Sequence, residues 1–198
     1  PTSSSAASDV YKRQHLLGLS MGGMIAQIMA SSYPKKTKTF TLIASTASTP
    51  SPFNGPSKDV RRLFIERTKN VDATIEDRVN RTKKLFKLIG YQGIDLDTQE
   101  FSDNVKLSIE RGGVDDTGFG RQLTAILGSK NRIEKVRSIS APTLIIHGKE
   151  DPLIGVKNAY RSNELIEGSK LVIIDNMRHL IEPPVFDQFK SDLLAHLK

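Results

Sequence analysis

Apolar residues are laid along this chain in two rhythms. In four short places they run together: His15–Leu19 in "HLLGL", and, richer in β-branched types, the stretch "TFTLIAS", Pro142 to Ile146 in "APTLIIHG", and Leu171 to Ile174 in "KLVIID". Runs of this length, bounded by turn residues, predict strands of a buried parallel sheet. "MIAQIMA" opens a helix reaching about Ser32, and "VFDQFKSDLLAHLK" reads as a terminal amphipathic helix. From about Ser57 to Ser138 the spacing becomes three and four. Val60, Leu63 and Phe64 mark one helical face, and Ile75, Val79, Phe86 and Ile89 another, with Thr74 and Asp77 as a capping box and Gly90 as a stop. Phe101, Val105 and Ile109 recur four apart, and Leu123, Ile126 and Leu127 belong to a further helix. The sequence therefore predicts an α/β fold, a parallel sheet flanked by helices, with core segments at 15–50 and 139–198 and a helical cap inserted at 51–138. The aromatics of the cap are expected mainly in its own core.

Composition removes several function classes. The 198 residues, 37% hydrophobic and 26% charged, suit one globular core, and no apolar run is long enough to span a membrane. The net charge of +7 comes from basic residues interleaved with acids, and the densest cluster, "PKKTK" at Pro34–Lys38, falls in a surface turn. Neither a nucleic-acid nor a membrane partner is expected. The chain has no cysteine, so disulfides and thiolate metal sites are excluded, and a reducing cytoplasm is the expected location. No internal repeat is present, and oligomeric state leaves no signature.

The candidate chemistry begins at "GLSMGG", where Gly18, Ser20 and Gly22 form G-x-S-x-G between a strand and a helix. In a nucleophile elbow the serine sits on a sharp, strained turn, so the positions two before and two after it are expected to be crowded and glycine is needed at both. The turn would aim the N–H groups of the helix terminus at developing negative charge. A phosphate loop needs a lysine that this stretch lacks, and a dinucleotide fingerprint needs a middle glycine where Ser20 stands and an acid after "FTLIAST". A serine hydroxyl needs a histidine to take its proton and a carboxylate to orient that histidine. In this architecture both follow later strands, acid first. The loop after "TLII" carries Asp151, and the loop after "LVII" carries His179. Among rivals, His147 precedes the acid and reads as structural, His15 precedes the elbow strand, and His196 belongs to the last helix. Glu150 and Asp175 have ordinary surface readings.

"GLSMGGMIAQ", "APTLIIHGKEDPL" and the late "RH" resemble the α/β-hydrolase superfamily. "GYQGIDLDTQEF" followed by "GRQLTAIL" is similar, more narrowly, to bacterial aclacinomycin methylesterase-type carboxylesterases. The resemblance runs over about residues 15–198. It implies Ser20 as nucleophile, Asp151 as acid, His179 as base, the backbone N–H of Met21 as one half of an oxyanion hole, a small-molecule ester as substrate, and neither metal nor organic cofactor. Such sequences often carry small residues just before the histidine, whereas here Asn176, Met177 and Arg178 precede it. Thioester or amide hydrolysis, acyl transfer and carbon–carbon bond hydrolysis remain open on the same triad, as does a non-catalytic protein holding a small ligand.

A fold of this kind ordinarily reaches its elbow after several strands, yet here the serine is residue 20. The expectation is a C-terminal half of the fold, poor as an esterase because the loop giving the second oxyanion donor is missing and the elbow strand becomes an edge. The opening "PTSSSAASDVYKRQ", residues 1–14, has neither a signal-peptide core nor strand periodicity. Permitted codons for Ser4–Gln14 spell a sequence resembling a transposon-derived library adapter. Residues 1–14 are therefore expected to be a non-native leader of a metagenomic or transcriptomic reading frame, with native sequence from about His15.

Overall fold

Four strands lie side by side in chain order, all parallel: β1 (Gln14–Leu19), β2 (Thr37–Ile43), β3 (Thr143–Gly148) and β4 (Lys170–Ile174). This computed structural model describes residues 13–49, 55–69, 73–112, 116–129 and 131–198. The expected leader, apart from Arg13 and Gln14, and residues 50–54 of the loop leaving β2 fall outside them. The first strand begins at Gln14, which pairs with Thr37 before the register shifts to His15 opposite Thr39.

Residues alternate between the two faces of the sheet, as a strand's period of two requires. Phe40, Leu42 and Ile145 join one core with Ala26 and Ala30 of helix α1 (Met21–Ser32). Ile43, Leu144 and Ile146 join the other with Val185, Phe189 and Leu193 of the terminal helix α8 (Pro183–His196). Phe40 and Phe189 are wholly buried, and each such side chain contributes roughly 1.5–3 kcal/mol by leaving water. A 3₁₀ turn at Pro34–Lys36 leads from α1 into β2. On the far side β1 pairs, among the described residues, with β2 alone, and its Leu17 is half exposed.

Between β2 and β3, in the span expected to be the cap, the described residues form four longer helices: α2 (Lys58–Lys69), α3 (Ile75–Ile89), α4 (Gln99–Glu110) and α5 (Asp116–Gly128). The capping box forms as the sequence predicts. Thr74 Oγ1 accepts the Asp77 N–H and Asp77 Oδ2 accepts the Thr74 N–H, both at 3.1 Å, and α3 ends at Gly90. The Thr74 hydroxyl, which donates to Asp77 Oδ2 at 2.7 Å, and then the Thr74 N–H hold the Asp77 carboxyl below its ordinary range. Edge-to-face rings join the helices in pairs, Phe64 to Phe119 across α2 and α5 and Phe86 to Phe101 across α3 and α4. A short helix α6 (Ile133–Arg137) lies within the span expected for the cap, yet its Val136 is fully buried in the core beside α1. Helix α7 (Lys157–Leu165) then crosses back between β3 and β4. The elbow serine, the acid loop and the histidine loop thus follow β1, β3 and β4 at one end of the sheet, where parallel α/β proteins bind ligands.

Candidate active site

Ser20 has φ 53° and ψ −120°, a region that residues with a side chain enter only when their surroundings enforce it. The enforcement is visible. The Ser20 N–H donates to Ile43 O at 2.9 Å, and the Ser20 carbonyl accepts the hydroxyl of Ser45 at 2.7 Å and the N–H of Met24 at 3.2 Å. Ala44, at the end of the neighbouring strand, also has a positive φ of 44° and donates its N–H to Ile146 O. Ser20 stands at the N-cap of α1, but its side chain makes no capping bond, so the hydroxyl stays available for chemistry. Met21 N–H is in the first helical position, where no carbonyl four residues back serves it.

One expectation about the elbow is corrected. A Cβ on Gly18 would lie within 2.5–2.6 Å of Gly22 O and the Gly23 backbone, so glycine is required there. A Cβ on Gly22 would meet nothing within 4 Å. The second crowded position is Gly23, where a Cβ would lie 2.7 Å from the Ser45 side chain, because the first turn of α1 faces the end of β2 with its third residue.

The loops that carry Asp151 and His179 meet. Asp151 Oδ2 accepts the His179 Nδ1–H at 2.8 Å, and Asp151 Oδ1 accepts the N–H groups of Leu153 and Ile154 at 2.8 and 2.9 Å. The Asp151 side chain is fully buried and that of His179 nearly so. Three donors from two loops therefore fix the orientation of the carboxylate. With Nδ1 as donor, His179 presents Nε2 as the free lone pair. The loops come this close because Gly148 lacks a side chain: a Cβ there would collide with the carbonyls of Met177 and Arg178. Among the described residues no hydrogen bond joins Ser20 Oγ to His179, a contact that commonly tightens only when substrate is bound.

The rival residues are otherwise engaged. His147 is buried and its Nε2–H donates to Ile154 O, while Nε2 lies 3.5 Å from Asp151 Oδ2. Burial pushes the His147 imidazole below the ordinary histidine value; the Ile154 bond and the Asp151 charge oppose that shift, and His179 adds to it. His15 pairs with Thr39, and His196 donates to Phe40 O. Glu150 is exposed, and Asp175 pairs with Lys149 at the surface.

Ser20 opens on a cavity of about 230 Å³ lined mainly by apolar side chains, among them Met21, Met24, Phe64, Phe119, Leu123 and Ile154. Phe64 and Phe119 therefore serve both the cap's packing and the cavity wall. Residues that the sequence left unassigned also shape the site. Ser45 holds the elbow carbonyl, and the buried Arg132 donates to Gln27 Oε1, Ser129 Oγ and the carbonyls of Thr46 and Ser48, tying the cap's exit to the core beneath Ser20. Among the described residues no group of three or more His, Cys, Asp or Glu side chains is placed to hold a metal ion, and no helix is long and apolar enough to cross a membrane.

Residues 11–181 match the family model described as alpha/beta hydrolase fold. The chain is 23% identical to rhodomycin D methylesterase DnrP of Streptomyces peucetius, over 93% of its own length and 66% of that protein's. It is 25% identical to monoacylglycerol lipase abhd6-A of Xenopus laevis, over 93% of its own length and 55% of the relative's. The chain thus spans about half to two thirds of the length of these relatives. Among solved structures, the esterase RhEst1 from Rhodococcus sp. ECU1013 superposes with a TM-score of 0.69 at 18% identity, over 97% of this chain and 67% of that one. The enol-lactonase from Burkholderia xenovorans LB400 gives 0.69 at 19%, over 96% and 68%.

Proposed function

The chain belongs to the α/β-hydrolase fold family, and on that premise we propose that it is the catalytic part of a serine hydrolase acting on carboxylic esters, with Ser20 as nucleophile, His179 as base and Asp151 as the acid that orients it. The observation that carries this reading is the buried, hydrogen-bonded Asp151–His179 pair, on loops at the same end of the sheet as a serine held at φ 53°. As His179 Nε2 takes the Ser20 proton, Oγ bonds to the ester carbonyl carbon and the carbonyl oxygen becomes an oxyanion facing Met21 N–H. The C–O bond to the alcohol breaks as His179 returns the proton to the departing oxygen, leaving an acyl-enzyme. Water then gives a proton to Nε2 and attacks the acyl carbon, and Ser20 is regenerated with release of the acid. Asp151, which accepts Nδ1–H throughout, stabilises the imidazolium that forms in each half. The apolar lining of the cavity favours esters with uncharged, hydrocarbon-rich groups, in keeping with relatives named as a methylesterase and a monoacylglycerol lipase.

Met21 N–H, in the first helical position, is the oxyanion donor this reading assigns, and loss of one such donor typically costs about 10²–10³ in rate. The same apolar cavity also suits a non-catalytic ligand-binding role, so the test must separate the two. A fluorophosphonate probe should label the wild-type chain stoichiometrically at Ser20 and leave Ser20→Ala unlabelled. Tight binding of an apolar ligand with no labelling and no ester turnover would favour the receptor.

A further inference from the structure

Arg178 stands immediately before His179. Its guanidinium Nη1 donates to Leu88 O at 2.8 Å and to Lys87 O at 3.3 Å. These carbonyls belong to the last turn of α3, where no further helical N–H is available to bond them. The next two residues dock on the same helix end: His179 N–H donates to Ile89 O at 2.8 Å and Leu180 N–H to Ile89 O at 3.2 Å. Just beyond it, Glu182 Oε1 accepts the Tyr91 N–H at 2.9 Å. The histidine loop therefore leaves β4, touches the core at Gly148, and is seated from residue 178 to 182 on the C-terminus of a cap helix. A cation at that terminus is also favoured by the helix dipole. The Arg178 side chain is 24% exposed, which shields its bonds, whereas its approach to the half-exposed Glu150, at 3.7 Å, is too long to fix it.

We propose that Arg178 is a positioning residue for His179: it pins the histidine loop to the end of α3, so that the cap, as well as the core, sets the imidazole against Asp151. The proposal rests on the reading of His179 as the base. Arg178 touches neither the reacting serine nor the apolar cavity, so its loss should slow the proton transfer without changing how well the cavity fills. It also makes the base sensitive to the cap. A movement of α3 carries Leu88 and Ile89, and with them the backbone of His179.

The test uses the 198-residue chain with Arg178→Ala, Arg178→Met, which keeps the apolar stem, and Arg178→Lys. Circular dichroism selects the folded variants. The maximal rate of fluorophosphonate labelling, its half-saturating probe concentration, and the downfield proton resonance of His179 Nδ1–H, assigned by its loss in His179→Ala, are then measured. We expect Arg178→Met to lower the maximal rate about 10- to 100-fold, the scale of a small misplacement of a catalytic group. The half-saturating concentration should stay unchanged and the resonance should broaden. Lysine should restore part of both losses, since an ammonium still reaches one of the two carbonyls. Should the alanine variant fail to fold, the methionine variant gives the reading. A wild-type rate and a sharp resonance in Arg178→Met would overturn the proposal. Absence of labelling in the wild-type chain would count against the hydrolase reading instead, and the resonance alone would then decide whether Arg178 positions His179.

Discussion

Gly18 and Gly23 meet backbone to backbone: a Cβ on Gly18 would lie 2.6 Å from the Cα of Gly23. The elbow strand and the elbow helix thus touch with no side chain between them, and this contact leaves the chain no route from β1 to α1 except through the strained conformation of Ser20.

The three elbow glycines should respond differently to a methyl group. Gly18→Ala and Gly23→Ala force backbone or Ser45 to move, and overpacking of this kind typically costs about 1–3 kcal/mol. Gly22→Ala meets open space and adds a better helix former, worth up to about 1 kcal/mol in favour of the helix. Urea midpoints and labelling of Ser20 should fall for the first two and hold or rise for the third. A Gly22→Ala variant as damaged as Gly18→Ala would show that the elbow is packed differently.

Ser20→Ala and His179→Ala should each remove most of the ester hydrolysis, and the double variant should lose little more, since a triad acts as a unit. Asp151→Asn should retain more rate than either. Glu150→Gln, which alters only a half-exposed side chain near Arg178, should cost less than Asp151→Asn. Initial rates on a short-chain aryl ester check the order, and a severe Glu150→Gln with a mild Asp151→Asn would reassign the acid.

The stability of the chain should depend on pH through His147. Its folded pKa lies below the ordinary value of 6.5 because the ring is buried. Above that value the ring is neutral in both folded and unfolded chains and has no effect. As pH falls below it, the unfolded chain takes up the proton more readily, so stability declines toward the lower folded value. The groups that face the ring are Asp151 and His179, both retained in His147→Gln. Melting temperatures between about pH 7.5 and about pH 5.5 should fall more steeply in the wild type than in this variant; parallel slopes would contradict the assignment.

What the sequence made legible is what neighbours along the chain decide. Ile145, Ile146 and the apolar runs like theirs announce strands; Thr74 and Asp77 cap a helix from three residues apart; and G-x-S-x-G anticipates the positive φ of Ser20. The strand-then-loop pattern also placed Asp151 and His179 within reach of each other. What escaped is set by distant partners. The crowding at Gly23 comes from Ser45, the seat of Arg178 lies on Leu88, ninety positions earlier, and Arg132 finds acceptors in Gln27, Thr46 and Ser48. Val136 belongs to the core although the short helix that carries it follows the cap helices without a break in rhythm. No local spacing encodes such contacts, because the fold must first bring the segments together.

The most direct test of the account is to catch the acyl-enzyme. The 198-residue chain is mixed with p-nitrophenyl butyrate, quenched in acid at short times, and examined by intact-mass and peptide mass spectrometry alongside Ser20→Ala. If Ser20 is the nucleophile, a burst of nitrophenol appears, a butyryl adduct is confined to the peptide carrying Ser20, and the variant carries no adduct. A butyryl group found elsewhere, or the same burst in Ser20→Ala, would contradict the assignment of Ser20 as the nucleophile.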